Sequence, residues 1–235
     1  MQRSLFAAPR GGKRRGAGRK PTGARANERH GARPSFKESH PLHVVLRVVP
    51  EVGSLRCRKM YKAIRGATIT AALRERFRIV HLSIQRTHLH LLVEAEHKAS
   101  LGLGMQGFQI SAARNINTAL GDGVRRRRGE VFADRYHVEV IASPTRARHA
   151  IGYVLGNWRR HREDQEGLAA TWLVDPFSTG ALFGGWKERE DQPWMWPLRE
   201  TYDPLVVFRP RSWLLRDGWA KTGTISYRDV PGRRA

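Results

Sequence analysis

The chain holds a single cysteine, Cys57, among 235 residues. That excludes a disulfide framework within the chain and a zinc cluster built on cysteines, and a reducing, cytoplasmic setting is expected. No stretch approaches the roughly 18 consecutive apolar residues that would read as a membrane-spanning helix. The basic N-terminus has no apolar run behind it and so lacks the form of a secretory signal. No Gly-x-x-x-x-Gly-Lys-Ser/Thr loop is present, and no internal repeat is visible. Acidic residues are few: 21 Asp and Glu stand against 43 Lys and Arg, a formal net charge of +22. An excess of that size points to a polyanionic partner, of which nucleic acid is the commonest. Charge alone does not choose an activity, because RNA-binding proteins share the same bias.

Residues 1–40 carry eleven Lys or Arg, and only Glu28 and Glu38 as acids. The run from Gly11 to Pro21 has too little apolar surface to build a core and is expected to be a flexible basic arm. Arg14, Arg15, Arg19 and Lys20 are its candidates for contact with DNA phosphates. From residue 41 the pattern changes. His43–Val49 reads as a strand, 55–76 as a helix with one apolar face, and Arg78–Ile84 and His88–Glu94 as a hairpin. Leu101, Met105, Phe108, Ala112, Ile116 and Leu120 form the stripe of a second helix, weakened by Gly102, Gly104 and Gly107. Val138–Ile141 reads as a fourth strand. Ser143 and Pro144 are a cap and a first helical position for a third helix reaching about His161. The expected class is α+β: a ferredoxin-like split βαβ domain over 41–164, with an antiparallel sheet, helices on one face and one added helix. Residues 165–235 are expected to be an irregular extension. They hold six of the seven tryptophans, Trp172, Trp186, Trp194, Trp196, Trp213 and Trp219, which are expected to pack on the domain rather than stack on bases.

Two groups of residues suggest chemistry. His88 and His90 are two apart on an expected strand, so both imidazoles point to one face and can converge on one ion. Tyr153 and Asn157 are four apart on the third helix, so both project from one face of it. A phenol near a phosphate can act as a nucleophile, and the Asn157 amide oxygen can complete a His, His, Asn metal site. Tyr136 is the rival nucleophile, but it lies outside the expected helix and has no amide four residues on. His43 and His81 read as structural. Arg125, Arg126, Arg127 and Arg128 form a loop run suited to a nucleic-acid backbone.

The stretch Thr87-His88-Leu89-His90-Leu91-Leu92-Val93 resembles the His-hydrophobic-His motif of the single-tyrosine HUH transposases of the IS200/IS605 type. Tyr153-Val154-Leu155-Gly156-Asn157 resembles the Tyr-x-x-x-Asn of their REP-associated branch, and Val131–His137 resembles the approach to its fourth strand. The likeness spans roughly 41–162, with Arg86-Thr87 where family members commonly have Pro-Asn. It implies that His88, His90 and Asn157 hold one Mg²⁺ or Mn²⁺ and that Tyr153 forms a 5′-phosphotyrosine link. It further implies a substrate of single-stranded DNA carrying a hairpin and a location at the nucleoid. The oligomeric state is left open between homodimer and monomer. The competing expectation is a nucleic-acid binder without catalysis, either an inactivated transposase or a ferredoxin-like RNA-binding module. Strands poor in aromatics count against the RNA-binding module.

Overall fold

Leu42, Val44 and Leu46 alternate with His43, Val45 and Arg47, and this two-residue period makes β1 (Leu42–Arg47), with the three leucine and valine positions fully buried. The computed structural model describes residues 34–165, 167–189 and 202–232. It continues with α1 (Arg58–Ala72), β2 (Phe77–Ile84), β3 (His88–Ala95), α2 (Lys98–Ala119), β4 (His137–Val140), α3 (Pro144–Arg160) and a short α4 (Trp213–Arg216). The strands form one antiparallel sheet in the order β2-β3-β1-β4. This is the expected split βαβ arrangement, with β3 and β1 in its centre. The basic arm expected at 1–40, with Arg14, Arg15, Arg19 and Lys20, lies outside the described residues up to position 33.

Three expectations need correction. The first helix is shorter than 55–76, because its outer apolar residues do different work: Leu55 is buried ahead of the helix, whereas Leu73 is 81 % exposed just past its end. The glycines of α2 are not simply weak points. Gly104 is where the Phe77 ring seats, and a Cβ there would overlap that ring.

The third correction concerns the sheet, which is covered on both faces rather than one. Leu42, Val44, Leu46, Leu89, Leu91 and Val93 pack against α1 and α2. On the other face, Val80 and Leu92 meet Ile151, Val154 and Leu155 of α3 together with Phe183, Trp186, Leu215 and Ile225. Burial therefore does not alternate along β3, where every residue after His88 is buried. A bulge between Ile79 and His81 turns Val80 and His81 together toward the α3 side.

The C-terminal segments also close the β2 edge. Ile84 N donates to Phe177 O and Phe208 N to Ile79 O, each at 2.8 Å, so backbone that would otherwise template foreign strands is paired. Trp186 is buried and donates its indole N–H to Gly180 O at 2.8 Å. Trp219 packs beside it, while Trp213 stays 47 % exposed. Trp194 and Trp196 lie outside the described residues.

One ion pair ties distant segments together. Arg56 makes a two-pronged contact with Asp175, Nη1 to Oδ2 and Nη2 to Oδ1 at 2.9 Å each, and also donates to Ile84 O at 2.9 Å. Its Nε lies 2.7 Å from Glu163 Oε2. Asp175 is fully buried. Arg56→Met should leave that carboxylate uncompensated and cost about 3–5 kcal/mol in urea-denaturation stability. A cost under about 1 kcal/mol would contradict this account of the junction.

His81 is buried against Phe183, with Nδ1 3.1 Å from Thr179 Oγ1. Burial lowers its pKa from 6.5 to about 4. The unfolded chain therefore binds the extra proton first. Stability is full above pH 6.5 and falls as pH drops through the folded value, by about 3 kcal/mol for this residue alone. His81→Asn should flatten that part of a plot of urea midpoint against pH.

Candidate active site

β3 pairs with β1 so that Val45 faces His90 and Arg47 faces His88. On the α3 side of the sheet this sets four neighbours close together: His43 and Arg47 from β1, His88 and His90 from β3. The His88 and His90 rings are 4.7 Å apart between centroids and nearly perpendicular. His43 Nε2 lies 3.0 Å from His90 Nδ1.

Helix α3 lies across this group. Ser143 caps it by accepting from Arg146 N, and Pro144 opens its first turn, as the sequence suggested. Its apolar stripe of Ala147, Ile151, Val154, Leu155 and Trp158 is buried, which fixes the rotation of the helix. That rotation brings the Tyr153 ring edge-on to His90 at 5.2 Å and to His43 at 5.8 Å. Two turns on, His161 meets His88 at 5.8 Å. Asn157 lies between these two contacts on the same side of the helix and is 0 % exposed.

Both nitrogen and oxygen of the Asn157 amide are buried without a hydrogen-bond partner, and so is His90 Nε2. Buried polar atoms are paired in the great majority of cases, so three such atoms on β3 and the helix that crosses it suggest a ligand. Among the described residues no group of three or more His, Cys, Asp or Glu is gathered as a metal site. Asn157 carries a further oxygen donor type on the helix that crosses the two histidines. The electrostatics suit ligation as well. Burial, with smaller pushes from His43, His88, His161 and Arg47, lowers the His90 pKa to about 2. Burial, then His161 and Arg47, lowers His88 to about 4. Both imidazoles are neutral at pH 7 and keep a lone pair.

The rival Tyr136 is only 4 % exposed and belongs to the core on the α1 and α2 side. It does not share a face with the histidines.

Residues 37–154 match the family described as "Transposase IS200 like", which is half of the 235-residue chain. The chain belongs to the IS200-like transposase family. The match takes in His88, His90 and Tyr153 and ends three residues before Asn157. Seven chains of known structure also match. One is described as a REP-associated tyrosine transposase bound to a REP hairpin, at 14 % identity and a TM-score of 0.49, covering 78 % of this chain and 99 % of that one. Another, from Deinococcus radiodurans R1 and described as a transposase, has 14 % identity and a TM-score of 0.37, covering 60 % of this chain and 98 % of that one. No curated protein matches in sequence. Among the described residues of this IS200-like chain, no helix is long and apolar enough to cross a membrane.

Several site neighbours escaped the sequence reading. His43 reads as structural from the sequence, yet it is hydrogen-bonded to His90. Arg47 lies beside His88 in the strand register, and the Arg160 guanidinium is 5.8 Å from the Tyr153 ring centroid. Strand parity puts positions 43, 45 and 47 on one face, but only the β1–β3 register says which of them meet His88 and His90. In the 125–128 run, Arg125, Arg126 and Arg128 are exposed. Arg127 is instead turned inward, donating to Asn117 Oδ1 and Glu130 O at 2.9 Å each.

Proposed function

We propose that this chain is a divalent-metal-dependent nuclease and strand transferase for single-stranded DNA, and that Tyr153 is its nucleophile. The observation that supports this best is the convergence of Tyr153 on a pair of neutral imidazoles, with His90 Nε2 and the Asn157 amide left unpartnered beside it. His88, His90 and Asn157 would hold one Mg²⁺ or Mn²⁺. When bound, such an ion polarises a phosphate ester and offsets charge that builds up in its transition state.

The protein's own groups do the rest. Tyr153 is placed on a rigid helix, half-buried, with its ring held by His90 and His43. Its phenolic oxygen forms a bond to phosphorus while the bond from phosphorus to the 3′ oxygen breaks. The phenol gives up its proton, and the departing oxygen takes one up. The product is a 5′-phosphotyrosine link and a free 3′-hydroxyl. A 3′-hydroxyl attacking the link reverses the exchange, so no external energy source is needed. Arg47 and Arg160 border the site and would draw in the DNA backbone. The exposed Arg125, Arg126 and Arg128, with the basic arm, would extend that contact along a strand bearing a hairpin.

The test is to incubate the full chain with hairpin-bearing single-stranded oligonucleotides, with Mn²⁺ or with chelator. A covalent adduct that survives denaturing gels and needs the ion is expected. Tight binding with no adduct under any condition would leave a non-catalytic binder instead.

A further inference from the structure

The hydrogen bond between His43 and His90 plays no part in the reading above. Its geometry is specific. His43 Nε2 and His90 Nδ1 are 3.0 Å apart, and the rings are stacked within 26° of parallel, centroids 5.2 Å apart. Two ring nitrogens at that distance share one proton, so one ring donates it and the other accepts.

Two arrangements satisfy that condition. If His43 donates, His90 carries its one proton on Nε2. That nitrogen is buried and has no partner, so it would be an orphaned N–H, the rarest and costliest kind of unpaired group. If His90 donates from Nδ1, its Nε2 holds a lone pair instead. His43 then carries its own proton on Nδ1. Glu139, its register partner on β4, is the nearby carboxylate whose charge acts on that ring. The second arrangement leaves no buried donor stranded on His90.

We propose that His43 is a positioning residue: it accepts the Nδ1 proton of His90, fixes the tautomer and tilt of that ring, and so presents the Nε2 lone pair as a metal donor. An acceptor behind a ligating imidazole orients it and raises its basicity, and losing one typically costs 10–100-fold in metal affinity. This rests on the metal-centre reading above, and the experiment separates the two.

Mn²⁺ affinity would be measured calorimetrically on the full chain as wild type, His43→Gln and His43→Phe. Glutamine keeps an acceptor near the position of Nε2, and phenylalanine keeps the ring packing without one. A loss of roughly 10–100-fold is expected for His43→Phe, with His43→Gln close to wild type. Wild-type affinity in His43→Phe, or equal losses in both variants, would overturn the role of His43. Imidazole ¹⁵N shifts of His90 in the unsubstituted, metal-free chain give a reading that needs no variant to fold. The Nδ1–H tautomer is expected, and the Nε2–H tautomer would overturn the proposal. If the unsubstituted chain binds no Mn²⁺, the metal-centre reading fails and takes this one with it. If only the variants depart from expectation, the metal centre stands without His43.

Discussion

Tyr153→Phe should abolish covalent protein–DNA adducts while leaving DNA affinity nearly unchanged. The ring is half-buried and packs edge-on against His90 and His43 at 5.2 and 5.8 Å. Phenylalanine preserves those contacts and the α3 stripe beneath them, so the fold and the basic surface persist. What disappears is the oxygen proposed to bond to phosphorus. Deleting a covalent nucleophile removes a route rather than slowing it, and a fall in cleavage on the order of 10⁴-fold or more is expected. Tyr136→Phe is the control. Tyr136 sits in the core on the opposite side of the sheet, so its loss should affect stability more than chemistry. Adduct that persists in Tyr153→Phe, or that vanishes only in Tyr136→Phe, would assign the nucleophile wrongly here.

His88→Ala should lower ion-dependent cleavage by on the order of 10²–10³-fold, the scale of several kcal/mol of transition-state stabilisation. His88 is the better probe of the two histidines. It is only half-buried, and its side chain makes a 3.3 Å contact with Thr87 Oγ1. His90 is 3% exposed and holds His43, so replacing it disturbs packing as well as ligation. The His88→Ala protein should therefore melt close to wild type and lose Mn²⁺ affinity. Cleavage at the wild-type rate with normal ion dependence would remove the metal assignment.

The sequence made part of this site legible. Two-residue parity put His88 and His90 on one face, and helical spacing put Tyr153 and Asn157 on one side of α3. The Ser143-Pro144 start fixed where that helix begins. What joins the two pairs was not legible. It depends on α3 lying across the sheet, and the residues that complete that layer come from Gly- and Pro-rich segments with no periodic pattern, such as Phe183, Trp186 and Ile225. The bulge in β2 was hidden for a similar reason: one extra residue shifts Val80 and His81 without altering the composition of the strand. Arg56 and Asp175 lie 119 positions apart, and nothing local to either marks them as partners. By its sequence His43 reads as structural, and only the register sets it diagonally behind His90.

The central claim is that the phenol of Tyr153 becomes joined to a DNA phosphate. Protease digestion of an ion-dependent adduct, followed by mass spectrometry of the nucleotide-bearing peptide, reads that bond directly. The mass of a 5′-linked nucleotide is expected on the peptide containing Tyr153 and on no other. The same mass on a different peptide, or a linkage through an atom other than that phenolic oxygen, would contradict the account.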